Sequence, residues 1–178
     1  NSIHVMKMCQ AFADNGNEVV LLAPNIKTKY EKDVEDIFDY YGVKKNFNII
    51  KLFHPNFKGG ALLYTLTIFF YLLINSKFDL VYGRFLQGIF VATILNNKVI
   101  YETHSPASNK NDHRLIVFKK LIKSKYLKKM VVISQALKNI YLDKKYLNDL
   151  KIQVAHDGAD EVKNFDNKIK LLGGKNNL

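Results

Sequence analysis

The chain has 178 residues, of which 48% are hydrophobic and 24% charged, and it carries a formal net charge of +11 and a single cysteine, Cys9. That size gives room for one domain with a buried core but hardly for two, and the composition excludes a disordered chain. A lone cysteine excludes an internal disulfide, no Cys/His cluster has zinc-ligand spacing, and the expected location is cytoplasmic.

Along the chain, helical and strand patterns alternate, the signature of a parallel α/β sheet. Ser2 is a good N-cap, after which Val5, Met8, Cys9 and Phe12 fall on one helical face until Asn15-Gly16 ends it. Glu18 to Ala23 reads as a buried strand stopped by Pro24. Val34, Ile37, Phe38 and Tyr41 have helical spacing and Gly42 closes that segment, with a strand expected over 48–53. The apolar stretch from Gly60 to Ser76 predicts a buried or membrane-leaning helix. Its greasy part is shorter than the roughly 20 residues of a spanning helix and is interrupted by Tyr64, Thr65, Thr67 and Tyr71.

A strand over 78–82, a short helix over 88–97 and a strand over 99–102 follow. Next come a lysine-rich helix over 112–128, a strand over 130–133, a helix capped by Ser134 and a last strand over 152–155. The polar tail from Lys163 reads as a connector, giving a domain over 1–162 and a connector over 163–178.

The positive charge admits nucleic acid or an anionic membrane surface as partners. Only Arg84 and Arg114 are arginines, however, and the lysine excess argues against nucleic acid, where arginine serves best. In the lysine-rich helix, Leu115, Phe118, Leu121 and Ile122 are flanked by Lys119, Lys120, Lys123, Lys125, Lys128 and Lys129. Such a stripe suits either an anionic bilayer surface or a solvated face packed on the sheet.

Four segments carry a resemblance to retaining glycosyltransferases of the GT-B fold, family 4. They are Ser2 to Val19, with its Asp14-Asn15-Gly16 helix end; Phe78-Asp79-Leu80-Val81-Tyr82-Gly83-Arg84; Ile100-Tyr101-Glu102-Thr103-His104; and Val131-Val132-Ile133-Ser134 with the later His156-Asp157-Gly158-Ala159-Asp160. The resemblance implies a Rossmann-like, doubly wound parallel sheet, forming the acceptor-side half of a two-domain enzyme. In that family a strand and a glycine turn precede the first helix, and the nucleotide sugar is held by a C-terminal domain with two glutamates eight positions apart. No glutamate pair here has that spacing, so the chain is expected to be a fragment that lacks the first strand and the donor domain. The implied reaction is hexosyl transfer from a UDP- or GDP-sugar to a glycan or lipid-linked acceptor, as in surface polysaccharide or glycolipid synthesis. It would retain configuration and need neither metal nor cofactor, with the protein cytoplasmic and peripheral at the inner membrane face.

Ligands of open α/β sheets bind beyond the carboxyl ends of the strands, which singles out Arg84, Glu102, His104, Ser134 and the turn after Ala155. By resemblance, His104 approaches the transferred sugar, where an imidazole can hydrogen-bond a hydroxyl. Glu102 shares its side of the strand and can orient His104, bind an acceptor hydroxyl, or pair with a lysine. Arg84 can clamp an acceptor phosphate or lie over apolar neighbours. Ser134 caps a helix whose N-terminus can also meet an anion. Ser2 and His4 lie where the donor diphosphate would meet the first helix. Asp157, Gly158 and Asp160 are expected to be structural, and His54, His113 and His156 to lie on the surface. Alternatives are a sugar-nucleotide epimerase of the same fold, a non-catalytic basic module for anionic lipid or nucleic acid, and an inactive remnant. A dehydrogenase is disfavoured because no G-x-G-x-x-G turn follows a strand.

Overall fold

The structure, a computed structural model, describes residues 2–26, 34–75, 78–107 and 113–156. The expected connector over 163–178 and the turn Asp157, Gly158, Ala159 and Asp160 lie outside the described residues. In chain order the elements are α1 (Ser2–Asp14), β1 (Val20–Asn25), α2 (Ile37–Tyr41), β2 (Asn48–Phe53), α3 (Gly60–Ile74), β3 (Val81–Gly83), α4 (Leu86–Ile94), β4 (Val99–Thr103), α5 (His113–Ile122), β5 (Leu127–Val132), α6 (Gln135–Asp143) and β6 (Ile152–Val154). The class is α/β, and every strand pairing is parallel.

The strands form two sheets, β1-β2 and β3-β4-β5-β6, with no ladder between β1 and β3. In a doubly wound sheet of order 3-2-1-4-5-6, the place between two such strands belongs to the strand preceding the first helix. The outer edge of β1 explains why Pro24 lies inside this strand, contrary to the expectation that it would stop it. Asn48 N–H donates to the Val19 carbonyl, and Val20 stands opposite Asn48, so odd-numbered residues of β1 bond to β2. Pro24 therefore sits at a position whose missing N–H would have faced away from β2. On that same edge the Leu22 carbonyl accepts from the Tyr64 hydroxyl of α3 at 3.5 Å.

Two apolar clusters result. The large one gathers α3, α4, α5 and α6 against β3–β6, with Phe118, Leu121, Leu127, Met130, Val99, Val132 and Tyr141 almost fully buried. The small one holds Met6 and Cys9 of α1 with Val43 and Phe47. Of the expected stripe, Cys9 is buried in this cluster and Val5 packs against it, but Met6 rather than Met8 is buried beside them, and Phe12 meets the Tyr82 ring of β3 at 5.4 Å. Burial pushes the Cys9 thiol up to about 11, which leaves it an unreactive core residue. Ser2 is the first residue of α1 rather than its cap. Gly16 and Gly42 close α1 and α2 at φ of 83° and 58°, as their left-handed geometry requires.

The lysine-rich helix is shorter than expected. It ends at Ile122, and Leu127, Lys128 and Lys129 belong to β5, where the register against β4 shifts from Val99–Leu127 to Ile100–Lys129 and leaves Lys128 and Lys129 both exposed between the buried Leu127 and Met130. Of the six lysines only Lys119 and Lys120 lie on α5, in its last turn, where they complement the helix dipole. Phe118 and Leu121 are buried, and Leu115 and Ile122 pack on the same core, so the stripe of α5 is spent inside the protein. By contrast α3 buries Tyr64, Ile68 and Leu72 along one face only. Its first residue must be glycine, because a Cβ at Gly60 would stand 2.1 Å from the Pro55 carbonyl oxygen. His54 is half-buried against the Tyr64 ring at 5.2 Å rather than on the surface.

Candidate functional site

The site grows from two alternating pairs at the carboxyl ends of neighbouring strands. Tyr82 lies in β3 and Arg84 just beyond it; Glu102 lies in β4 and His104 just beyond that. Residues two apart share a face of a strand, and the register Tyr82–Ile100, Gly83–Tyr101 brings Arg84 level with Glu102. The four side chains consequently converge.

Glu102 is the centre. Its side chain is 4% exposed. The Arg84 guanidinium donates to Oε1 at 2.5 Å, the Tyr82 hydroxyl to Oε2 at 2.6 Å, and His104 Nε2 lies 2.7 Å from Oε1. His4, arriving from α1, places its Nε2 3.8 Å from the same Oε1, and its ring meets that of His104 edge-on at 6.1 Å. Burial alone would raise the Glu102 pKa, but hydrogen bonds from Arg84, Tyr82 and His104 outweigh it and hold the carboxyl below its ordinary value. The group is therefore ionised at neutral pH. An ionised carboxylate only accepts, so the hydrogen it receives from His104 sits on Nε2, and a neutral ring keeps Nδ1 as an acceptor. Burial, then the bond to Glu102 and its charge, raise the Tyr82 phenol, which stays protonated as a donor.

A cleft of about 280 Å³ opens on this cluster, lined among others by Arg84, Glu102, His104, Ser105, Arg114 and Tyr141. Both arginines of the chain line it. Its floor is held by the Ser105 carbonyl, which accepts from Thr103 Oγ1 at 2.9 Å and from the Tyr141 hydroxyl at 3.0 Å. Burial raises the Tyr141 pKa to about 12, so this donor persists across the physiological range. A larger, more open hollow of about 700 Å³ lies at the amino ends of β1 and β2, beside Phe38, Lys45 and Phe47. Its position at the wrong end of the strands makes it the weaker candidate.

Of the sequence candidates, the structure brings together Arg84, Glu102, His104 and His4. Glu102 pairs with an arginine, not a lysine. Ser134 accepts from Leu137 N–H at 3.2 Å as the cap of α6, and neither it nor the exposed Ser2 lines the cleft. Sequence reasoning missed Tyr82 and Arg114 as site residues. The two-residue spacing of Tyr82 and Arg84 was a usable signal for the first; nothing local marks Arg114. Among the described residues, no group of three or more His, Cys, Asp or Glu is placed to hold a metal ion, and no helix is long and apolar enough to cross a membrane.

The family profile for Glycosyltransferase Family 4 matches residues 2–163, which takes in every strand and the whole cleft. The chain belongs to glycosyltransferase family 4. No curated protein matches it in sequence comparison. Family membership makes this a glycosyltransferase-type domain, with sugar donor and acceptor as partners in general, and the parallel α/β architecture is that of a Rossmann-like half of the GT-B fold.

Proposed function

We propose that this domain forms the acceptor side of a hexosyl transferase that moves sugar from a UDP- or GDP-sugar to a glycan or lipid-linked acceptor, with retention of configuration and without a metal. The observation that carries the reading is the buried Glu102 carboxylate holding His104 by Nε2 at the mouth of the cleft. An imidazole fixed in this way presents Nδ1 as an acceptor for a sugar hydroxyl without further reorganisation. Glu102 acts through His104 and is a positioning residue. Arg84 is engaged by Glu102 through one nitrogen, and its remaining donors, with Arg114, give the cleft a cationic wall suited to an acidic acceptor group. His4 carries the first turn of α1 to the same carboxylate, on the side from which a donor diphosphate would approach a helix N-terminus.

The test is sugar transfer by the full-length protein, assayed across UDP- and GDP-hexoses with chelator present. His104→Ala is expected to lower kcat about a hundredfold, the range for loss of one well-placed hydrogen-bonding group. Absence of transfer or donor hydrolysis with every nucleotide sugar would overturn the reading, as would full activity of the variant.

A further inference from the structure

A carboxylate is held firmly in its plane only when both of its oxygens are engaged. The last torsion of a glutamate joins a tetrahedral carbon to a planar group, so its wells are broad and roughly two-fold, and donors at one oxygen alone constrain the plane weakly. At Glu102 the Arg84 guanidinium and His104 Nε2 both act on Oε1, at 2.5 and 2.7 Å. His4 approaches that same oxygen at 3.8 Å. Oε2 accepts from the Tyr82 hydroxyl at 2.6 Å, a distance typical of a hydroxyl bonded to an ionised oxygen. The plane of the carboxylate sets where the lone pairs of Oε1 point, and the Nε2–H of His104 follows them. The hydroxyl on Oε2 thus bears on the ring bonded to Oε1.

The place of Tyr82 in the sheet suits it to this role. It stands level with Ile100 of β4, and Glu102 lies two residues further on. The hydroxyl must therefore reach across to the next strand and forward along it. That diagonal is about 8 Å between Cα positions, from a strand spacing of about 4.8 Å and a rise of about 3.3 Å per residue. Tyrosine and glutamate together span it, whereas serine or threonine in place of the tyrosine would fall short. Phe12 of α1 meets the Tyr82 ring edge-on at 5.4 Å and fixes its direction. Tyr82 is not among the residues that line the cleft, so its hydroxyl acts on Glu102 and not on a molecule bound there.

We infer that Tyr82 is a positioning residue: by holding Oε2 it fixes the plane of the Glu102 carboxylate and, through Oε1, the orientation of His104. The expected effect on transfer rests on the proposed role of His104, but the spectroscopic effect does not. The test is Tyr82→Phe in the full-length protein, which keeps the ring against Phe12 and removes only the hydroxyl, with folding checked by circular dichroism. In the wild type the Nε2 proton of His104, identified by its loss in His104→Ala, is expected far downfield in the proton NMR spectrum. In Tyr82→Phe it should move upfield and exchange with solvent about tenfold faster, the scale of a weakened charge-assisted hydrogen bond. The kcat for sugar transfer should fall about tenfold, less than the loss of about a hundredfold expected for His104→Ala. KM for the acceptor should stay within about twofold, because Arg84 and Arg114 remain. Added to Glu102→Gln, the same substitution should change kcat by less than about twofold, since its route to His104 is already broken. An unmoved Nε2 proton in Tyr82→Phe would overturn the inference. So would a kcat loss of the same size in the Glu102→Gln background, which would give Tyr82 a role of its own. A moved proton with full activity of His104→Ala would support the positioning role and count against the proposed reaction instead.

Discussion

The two halves of the molecule are built to different standards. Around β3–β6 the core is continuous, running through four helices, and its central side chains, Phe118, Leu121, Met130 and Val132, are almost wholly buried. Among the described residues, the buried core around β1–β2 reduces to Met6, Cys9, Val43 and Phe47, and β1 has a ladder on one side only. The site straddles this difference. Glu102, Arg84, Tyr82 and His104 stand on the well-packed half, while His4 is delivered by a helix anchored mainly in the small cluster. A rigid platform thus carries the carboxylate and imidazole, and a more weakly held helix brings the fifth group.

The largest test of that contrast is a pair of truncations. Phe118→Ala should cost about 3–5 kcal/mol, the range for an aromatic removed from a closed core, and lower the thermal midpoint of the whole domain. Phe47→Ala should instead raise amide exchange locally in α1, β1 and β2 while β4 and β5 keep their protection. Equal loss of protection in both sheets for both variants would erase the distinction.

Glu102 comes next. Glu102→Gln removes the charge from a buried pair whose arginine is still partly solvated, and should destabilise by about 2 kcal/mol, less than the 3–5 of a fully buried pair. The pH dependence has a definite sign. The folded-state pKa of Glu102 lies below its ordinary value of 4.5. Its contribution is therefore complete above that value and is lost as pH falls through the lower folded value. Denaturant midpoints measured downward from pH 6 should drop in the wild type over this acid window, and that part of the drop should be missing in Glu102→Gln. The smallest expected effect is Ser134→Ala, about 1 kcal/mol for loss of an N-cap, read as a change in midpoint with sugar transfer unaltered. A selective loss of transfer would give Ser134 a substrate role.

Much of this was legible in the sequence where local signals agree. The strand over 48–53, the glycine ends of α1 and α2 and the cap at Ser134 all rest on short-range chemistry, and each stands where expected. Glu102 and His104 were legible because alternation along one strand sets their common side. What the sequence hid was pairing across the fold. Pro24 looked like a stop because nothing local says that, among the described residues, no strand pairs with its side of β1. Lys128 and Lys129 looked like more of the lysine helix because two adjacent exposed lysines break strand alternation, and the register shift against β4 that permits them is set by pairing across the fold. Arg114 enters the cleft through the packing of α5, which its neighbours in sequence do not encode.

The central claim is that Glu102 works by holding His104, and a double-mutant cycle on hexosyl transfer tests it most directly. Glu102→Gln, His104→Ala and the double variant would be compared by kcat and KM in the full-length protein. If the pair acts as one unit, the double variant loses little more in kcat than His104→Ala alone, and KM for the acceptor changes less than kcat. Losses that simply multiply would mean the two residues act independently, and would contradict the claim.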